Sequence, residues 1–448
     1  MLHRVRDELL YIGLETIGLN PGSLAASSRQ KNMPLDTLPP PPAINHGVRT
    51  NLAQIVLLVA ANGFVGAMIG VERTVVPLLG REFGLISNVA ITSFIISFGV
   101  TKAFTNLLAG RFADWIGRRN VLILGWLIGI PVPLIVMWAP SWKWVVIANA
   151  LLGVNQGICW TLTLLMKIDL GGPRRRGFAA GINETIGYGC VALVAFAATE
   201  AAARYGLRPY PFYIALAAAI LGLFLAVVLL RETRGHVEKE SLELTNGDAA
   251  PPWHRIFARV TFRDRSLFAT VQAGMVRNLA DGMAWGLLLL LFKEKLGQHA
   301  SGTLSWIMIA CFAFGQLLFG SLSDFQGRKW FIATGMALIA GSLGLIAVVE
   351  GFLPWATGVV LLGLGGSLMY PTAIASLSDQ TDPVWRATGL GVYRFWRDMG
   401  YAAGALSSGL IADYAGMKNA ILSVAVVCLL SALLVAAFLR ETRGAKAR

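Results

Sequence analysis

"GRFADWIGRRN" occupies residues 110–120, and "GSLSDFQGRKW" occupies residues 320–330, 210 positions later. Each sets one acid and a basic pair among glycines at the first and eighth positions, between two long apolar stretches. A turn repeated at a fixed distance signals duplication when other landmarks keep the same shift. They do: "LLG" at 151–153 returns at 361–363, Asp169 at Asp379, Pro173 at Pro383 and Arg176 at Arg386. "LRETRG" at 230–235 returns at 439–444, a shift of 209. The chain reads as one six-span unit present twice.

Composition says what the spans are. Hydrophobic residues make up 55% of the 448 residues and charged residues 14%. Runs such as 121–139 and 420–439 show almost no polar face, and about 20 such residues cross a ~30 Å hydrocarbon core as a helix. Twelve spans are expected near 52–78, 88–110, 120–139, 143–167, 177–200, 211–230, 266–292, 303–320, 330–349, 354–377, 387–411 and 419–439. The formal charge of +13 gathers in alternate loops, the bias that marks the cytoplasmic side of a membrane rather than a nucleic-acid surface. A multi-pass protein of the inner (plasma) membrane with both termini cytoplasmic follows. Residues 1–50 read as a disordered cytoplasmic tail without a signal peptide, 51–230 as the first bundle and 231–265 as a cytoplasmic loop. Residues 266–440 read as the second bundle and 441–448 as a cytoplasmic tail.

The pattern G-x-x-x-D-x-x-G-R-[RK], between the second and third spans and again between the eighth and ninth, resembles the signature loop of the major facilitator superfamily. The resemblance covers residues 50 to 443. It implies an all-α polytopic membrane protein, twelve transmembrane helices in two pseudo-symmetric six-helix bundles about a cavity that opens alternately to either side. The glycines, Gly110 and Gly117, Gly320 and Gly327, are expected to admit close approach. Asp114 and Asp324 suit backbone N–H groups at a helix N-terminus, where the dipole favours an anion. In the family that helix belongs to the opposite half, so the contact latches the cytoplasmic side. Arg118 and Arg119 have acids such as Asp169 and Glu232 in reach, and Arg328 and Lys329 take the same places in the second half. The plainer alternative is a set of topogenic arginines beside a helix-capping acid.

Ionisable groups at membrane depth are costly and mark functional sites. Glu184 lies eight residues past Arg176, about 12 Å into its span at 1.5 Å per residue. It has no basic residue at helical spacing, which makes it the first proton-coupling candidate, followed by Asp281, Asp398 and Glu72. Its counterpart under the 210 shift is Arg394, with Arg397 and Asp398 on the same helical face. Arg277 with Asp281, and Arg394 with Asp398, are spaced to neutralise one another along single helices. Substrate-cavity candidates are Asn155, Gln156, Trp160, Arg277, Asn278, Tyr370, Arg394 and Arg397. Basic residues within the spans outnumber acids once Arg73 and Lys102 are included, which favours an anionic solute.

Other function classes lose ground. No phosphate-binding loop supports an ATP-driven pump, and no nucleophile–base pair or cofactor motif supports an enzyme. The four cysteines sit in apolar stretches as buried thiols, and the five histidines show no ligand spacing, so neither metal nor cofactor is expected. The fifth span lacks the glycine–proline pattern typical of drug–proton antiporters, and the seventh lacks the paired glutamines of sugar porters. The expectation is a secondary, proton-coupled carrier of a small organic solute in the lipid bilayer, with no obligate protein partner. The alternatives are a multidrug or metabolite efflux antiporter and a non-transporting receptor on the same fold.

Overall fold

The structure, a computed structural model, describes residues 47–171, 176–236, 251–381 and 385–442. The expectations for the tail before residue 47, for the loop core 237–250 and for residues 443–448 lie outside the described residues. Regular structure among the described residues is helical throughout. The first half contains α1 (Leu52–Glu82), α2 (Asn88–Ile116), α3 (Arg118–Met137), α4 (Trp142–Gly171), α5 (Arg176–Tyr205) and α6 (Tyr210–Leu229). A short helix, Trp253–Ala258, leads into the second. There follow α7 (Arg265–Leu296), α8 (Gln298–Gln326), α9 (Lys329–Val348), α10 (Phe352–Gln380), α11 (Arg386–Ala415) and α12 (Met417–Phe438).

Eleven of these are long and apolar enough to cross a membrane. The exception is α11, equally long at 30 residues but carrying Arg386, Arg394, Arg397, Asp398 and Asp413. The two charges at its middle turn inward: Arg397 and Asp398 are 6% and 0% exposed, while Leu406 and Leu410 face outward. Several helices overrun the apolar stretches read from sequence, since their polar ends continue in helical geometry. The ends carry exposed aromatics, among them Trp115, Trp253 and Trp330 near the charged turns and Trp138, Trp144 and Tyr210 at the far end, as in the aromatic belts of membrane interfaces.

Small residues let the helices close. A Cβ at Gly66 of α1 would stand 2.1 Å from the Gly187 carbonyl of α5, and one at Gly404 of α11 would stand 2.0 Å from the Leu279 carbonyl of α7. Between the halves, Gly99 of α2 meets the backbone of Ala402, Gly409 of α11 meets Val89, and Gly302 of α8 meets Thr199 of α5. Without a hydrophobic drive between helices in lipid, such approach is what holds them. Gly404→Val has no room to relax, because the obstacle is backbone. It is expected to reduce the monodisperse fraction of detergent-extracted protein severalfold, an overpacking cost of about 1–3 kcal/mol or more.

α1 and α5, α2 and α4, α7 and α11, and α8 and α10 pack within the halves, while α2 with α11 and α5 with α8 form the seam between them. The most apolar windows of α4 and α7 are 72% buried, those of α6 and α12 33% and 39%. The first two are therefore central, the last two peripheral. This places the buried charges Arg73 of α1, Lys102 of α2, Glu184 of α5, Arg277 and Asp281 of α7, and Arg397 and Asp398 of α11 around one centre.

Candidate functional site

The two charged turns come first. Gly117 and Gly327 hold φ of +95° and +101°, a left-handed region that side chains resist. Each allows the chain to leave one helix and start the next at once. Glu232, just past α6, accepts the backbone N–H groups of Arg118 (3.0 Å) and Arg119 (3.1 Å) at the start of α3. Glu441, its repeat partner, does the same for Arg328 (2.5 Å) and Lys329 (3.2 Å) at the start of α9. A Cβ on Gly117 would lie 2.5 Å from Glu232, and one on Gly327 2.6 Å from Glu441. Arg118 pairs with Asp169 at 3.4 Å and Arg328 with Asp379 at 3.2 Å. Each turn is thus tied to the ends of two helices of its own half: anions on helix N-termini, guanidiniums on acids.

The side chains of Asp114 and Asp324 lie outside the described residues. The expectation of close approach fails at Gly110, where an added Cβ meets nothing among the described atoms, and at Gly320, where Pro371 stands at an ordinary 3.6 Å. Both glycines sit on helix faces rather than at the turn. Losing a helix cap costs about 0.5–2 kcal/mol. Glu232→Ala and Glu441→Ala are therefore each expected to lower the melting temperature of the purified protein by a few degrees, and by similar amounts, in a thermal unfolding assay.

The charges at the centre come together across the seam. Arg73 of α1 donates to Asp281 of α7 at 2.8 Å and to the Tyr401 hydroxyl of α11 at 3.1 Å. Its guanidinium lies over the Trp285 ring at 5.2 Å. Arg277 reaches the same Asp281 oxygen at 3.1 Å and stacks on Phe312 at 4.6 Å. The pairing expected along α7 is present, but Asp281 is shared with a residue of the other half.

Glu184 is the second crossing. One carboxylate oxygen accepts from Trp160 Nε1 at 2.9 Å and Asn183 Nδ2 at 3.3 Å, and the other from the Tyr370 hydroxyl of α10 at 3.1 Å. Arg397 Nη1 donates to that same hydroxyl at 2.6 Å. The 210-shifted aromatic pair, Trp160 and Tyr370, thus meets on one carboxylate from opposite halves. The pairing of Arg394 with Asp398 needs correcting. Arg394 donates to Thr161 of α4 at 3.1 Å, and Arg397 closes on its neighbour Asp398 with contacts of 2.7 Å and 3.0 Å. Asp398 also accepts from Asn106 of α2 and from Asn278 of α7 at 3.3 Å. With Asp398 wholly buried and these donors already around it, the more distant i+4 partner turns to α4.

Other candidates sit elsewhere. Asn155 gives its amide to the Gly125 carbonyl and Gln156 to the Val65 carbonyl, so both brace α4 against α3 and α1 inside the first half and are 0% exposed. Glu72 is buried on the α4 side of α1 beside Asn149. Lys102 was not among the expected cavity residues, yet its ammonium lies 5.3–5.7 Å from the rings of Phe98, Trp160 and Tyr401. Its position inside an aromatic-rich span was the signal. The four thiols are free.

A closing contact at the far end was not visible in the sequence at all. Asp413 of α11 accepts from the Ser87 hydroxyl and the Asn88 N–H, both at 2.5 Å, and from the Val89 N–H at 3.1 Å at the N-terminus of α2. At the same end of the other seam, His299 of α8 meets Glu200 of α5 at 3.3 Å. The far end of the seam is held by an acid on a helix N-terminus of the other half.

Comparison with known proteins agrees with the fold. The sequence profile of the Major Facilitator Superfamily matches residues 55–280 and 273–448. The MFS-type transporter YhhS of Salmonella enteritidis is 26% identical over 413 residues, covering 88% of this chain and 94% of its own. Multidrug resistance protein MdtG of Escherichia fergusonii is 25% identical over 378 residues, 81% of this chain and 89% of its own. The crystal structure of the human organic anion transporter MFSD10 superposes with a TM-score of 0.64 at 15% identity, covering 86% of this chain and 99% of that one.

Proposed function

The chain belongs to the major facilitator superfamily, a family of transporters, and from that premise we propose that it is a secondary carrier of a small anionic organic solute, coupled to protons and working by alternating access. The observation that carries this reading is the centre itself. Arg73 with Asp281, and Glu184 with Tyr370, are buried polar contacts between the two halves at the middle of the seam. Contacts of that kind must break and reform if the halves rock, so solute and proton are placed where they bias the motion. Glu184 is the coupling carboxyl: it gains and loses the Tyr370 hydroxyl as the halves part. The excess of guanidinium and ammonium groups over carboxylates favours an anion as the solute.

The orientation proposed with this puts both charged turns, and both termini, in the cytoplasm of a cell bounded by this membrane, as the loop arginines favour. A second reading, export of drug-like compounds, is favoured by the name of MdtG. Proteoliposomes with an imposed pH gradient separate the two. Uptake of labelled mono- or dicarboxylates that collapses with a protonophore supports the anion carrier. Movement of cationic dyes with no response to carboxylates replaces it with the second reading, and ATP-dependent or absent movement of every solute class removes both.

A further inference from the structure

Arg73, Arg277 and Asp281 form an incomplete set. A single oxygen, Asp281 Oδ2, receives both guanidiniums, at 2.8 Å and 3.1 Å. All three residues are 8% exposed, and their formal charges leave one positive charge over. The Nε atoms of Arg73 and Arg277 are buried without a hydrogen-bond partner. Both arginines line a partly open cavity of about 20 Å³, walled by Phe312, Ala280 and Leu362. A space of that size takes one water molecule, one halide or the end group of a longer solute that reaches in from the open side.

The wider centre does not supply the missing charge. Lys102, Arg394 and Arg397 stand against Glu184 and Asp398, again one cation in excess, and the buried carboxyl of α1, Glu72, is turned to Asn149 of α4. Buried donors without acceptors are costly, and an uncompensated charge away from water is costlier. A water molecule would satisfy the donors and leave the charge. An anion satisfies both. Phe312, under the Arg277 guanidinium at 4.6 Å, fixes the plane in which that donor points.

We propose that this void binds one monovalent anionic group, a halide ion or the terminal carboxylate of a solute, between the Nε–H groups of Arg73 and Arg277. The site lies on the seam, since Arg73 belongs to α1 and Arg277 to α7. Its occupant is a second counter-ion beside Asp281, and it ties the halves together while it stays. That the group enters as part of the transported solute rests on the carrier reading; the binding itself does not.

The test needs no transport. Full-length protein in detergent and methanesulfonate buffer, whose sulfonate head is bulkier than a halide or a carboxylate, is titrated at constant ionic strength with chloride, formate or acetate while thermal unfolding is followed. A saturable rise in melting temperature with chloride assigns the site to a free ion. A rise with formate or acetate but not with chloride assigns it to a solute's carboxylate. Arg277→Gln is expected to weaken the response by about tenfold or more, and Asp281→Asn, which leaves two cations around the void, to strengthen it by a similar factor. Arg204→Gln, in the exposed pair with Glu200, should respond as the parent does. Should Arg277→Gln fail to fold, Asp281→Asn decides alone. Superimposed melting curves in all four anions, or an Asp281→Asn variant with a weaker response than the parent, overturn the proposal. If anion binding stands while proteoliposomes move nothing, the carrier reading fails and the site survives.

Discussion

Arg73→Gln is expected to lower the initial transport rate by about a hundredfold or more. The guanidinium joins α1 to Asp281 on α7 and to Tyr401 on α11, and packs on Trp285. Breaking a buried pair by removing one member costs about 3–5 kcal/mol, because the other charge is left uncompensated. Part of that falls on folding and part on the state in which the halves meet here, so rates must be normalised to folded protein. The double variant Arg73→Gln, Asp281→Asn removes both charges and should recover much of the lost stability. It is expected to depart from additivity by about 0.5–3 kcal/mol. A fully active Arg73→Gln protein would mean that this contact has no part in the cycle.

Glu184→Gln is expected to separate driven transport from exchange. The amide keeps the shape of the side chain, accepts from Trp160 through its oxygen and turns its NH2 group to the Tyr370 hydroxyl, which can accept, but it does not titrate. With coupling at this position, uphill accumulation driven by a pH gradient disappears, a loss of about tenfold or more at a gradient of one unit. Exchange of labelled for unlabelled solute persists. With a bracing role alone, three donors on one carboxylate predict instead a stability loss with coupling intact. Tyr370→Phe sharpens the distinction. It removes the donor from the other half and leaves Trp160 in place, so it should shift the pH at which uptake is half-maximal without abolishing uptake.

Much of the fold was legible because membrane helices announce themselves locally. Apolar runs fix where helices lie, and the 210-residue repeat fixes which turns and caps correspond, down to Glu232 and Glu441 each serving the turn of its own half. The repeat also linked Trp160 to Tyr370, and the two share Glu184. What stayed hidden is what depends on the way two halves face each other. Arg73 and Asp281 are 208 positions apart, and Arg73 has no charged partner under the repeat shift. Asp413 capping α2 leaves no trace in spacing for the same reason. Asp398 misled in another way: four-residue spacing predicts Arg394, but burial lets the neighbouring Arg397 fold back. Asn155 and Gln156 read as a cavity pair, while in the structure backbone carbonyls of α3 and α1 take their amides.

If the halves move against each other about the charged seam, the far end must open and close with each cycle. Ser87 and Asp413 meet at 2.5 Å across that end. Cysteines at both positions, in a background whose four native thiols are replaced, can be joined by a short bifunctional thiol reagent with a reducible link. Joining them is expected to stop transport in proteoliposomes and reduction to restore it, while either single cysteine treated in the same way stays active. Joined protein that transports at the rate of unjoined protein would contradict it.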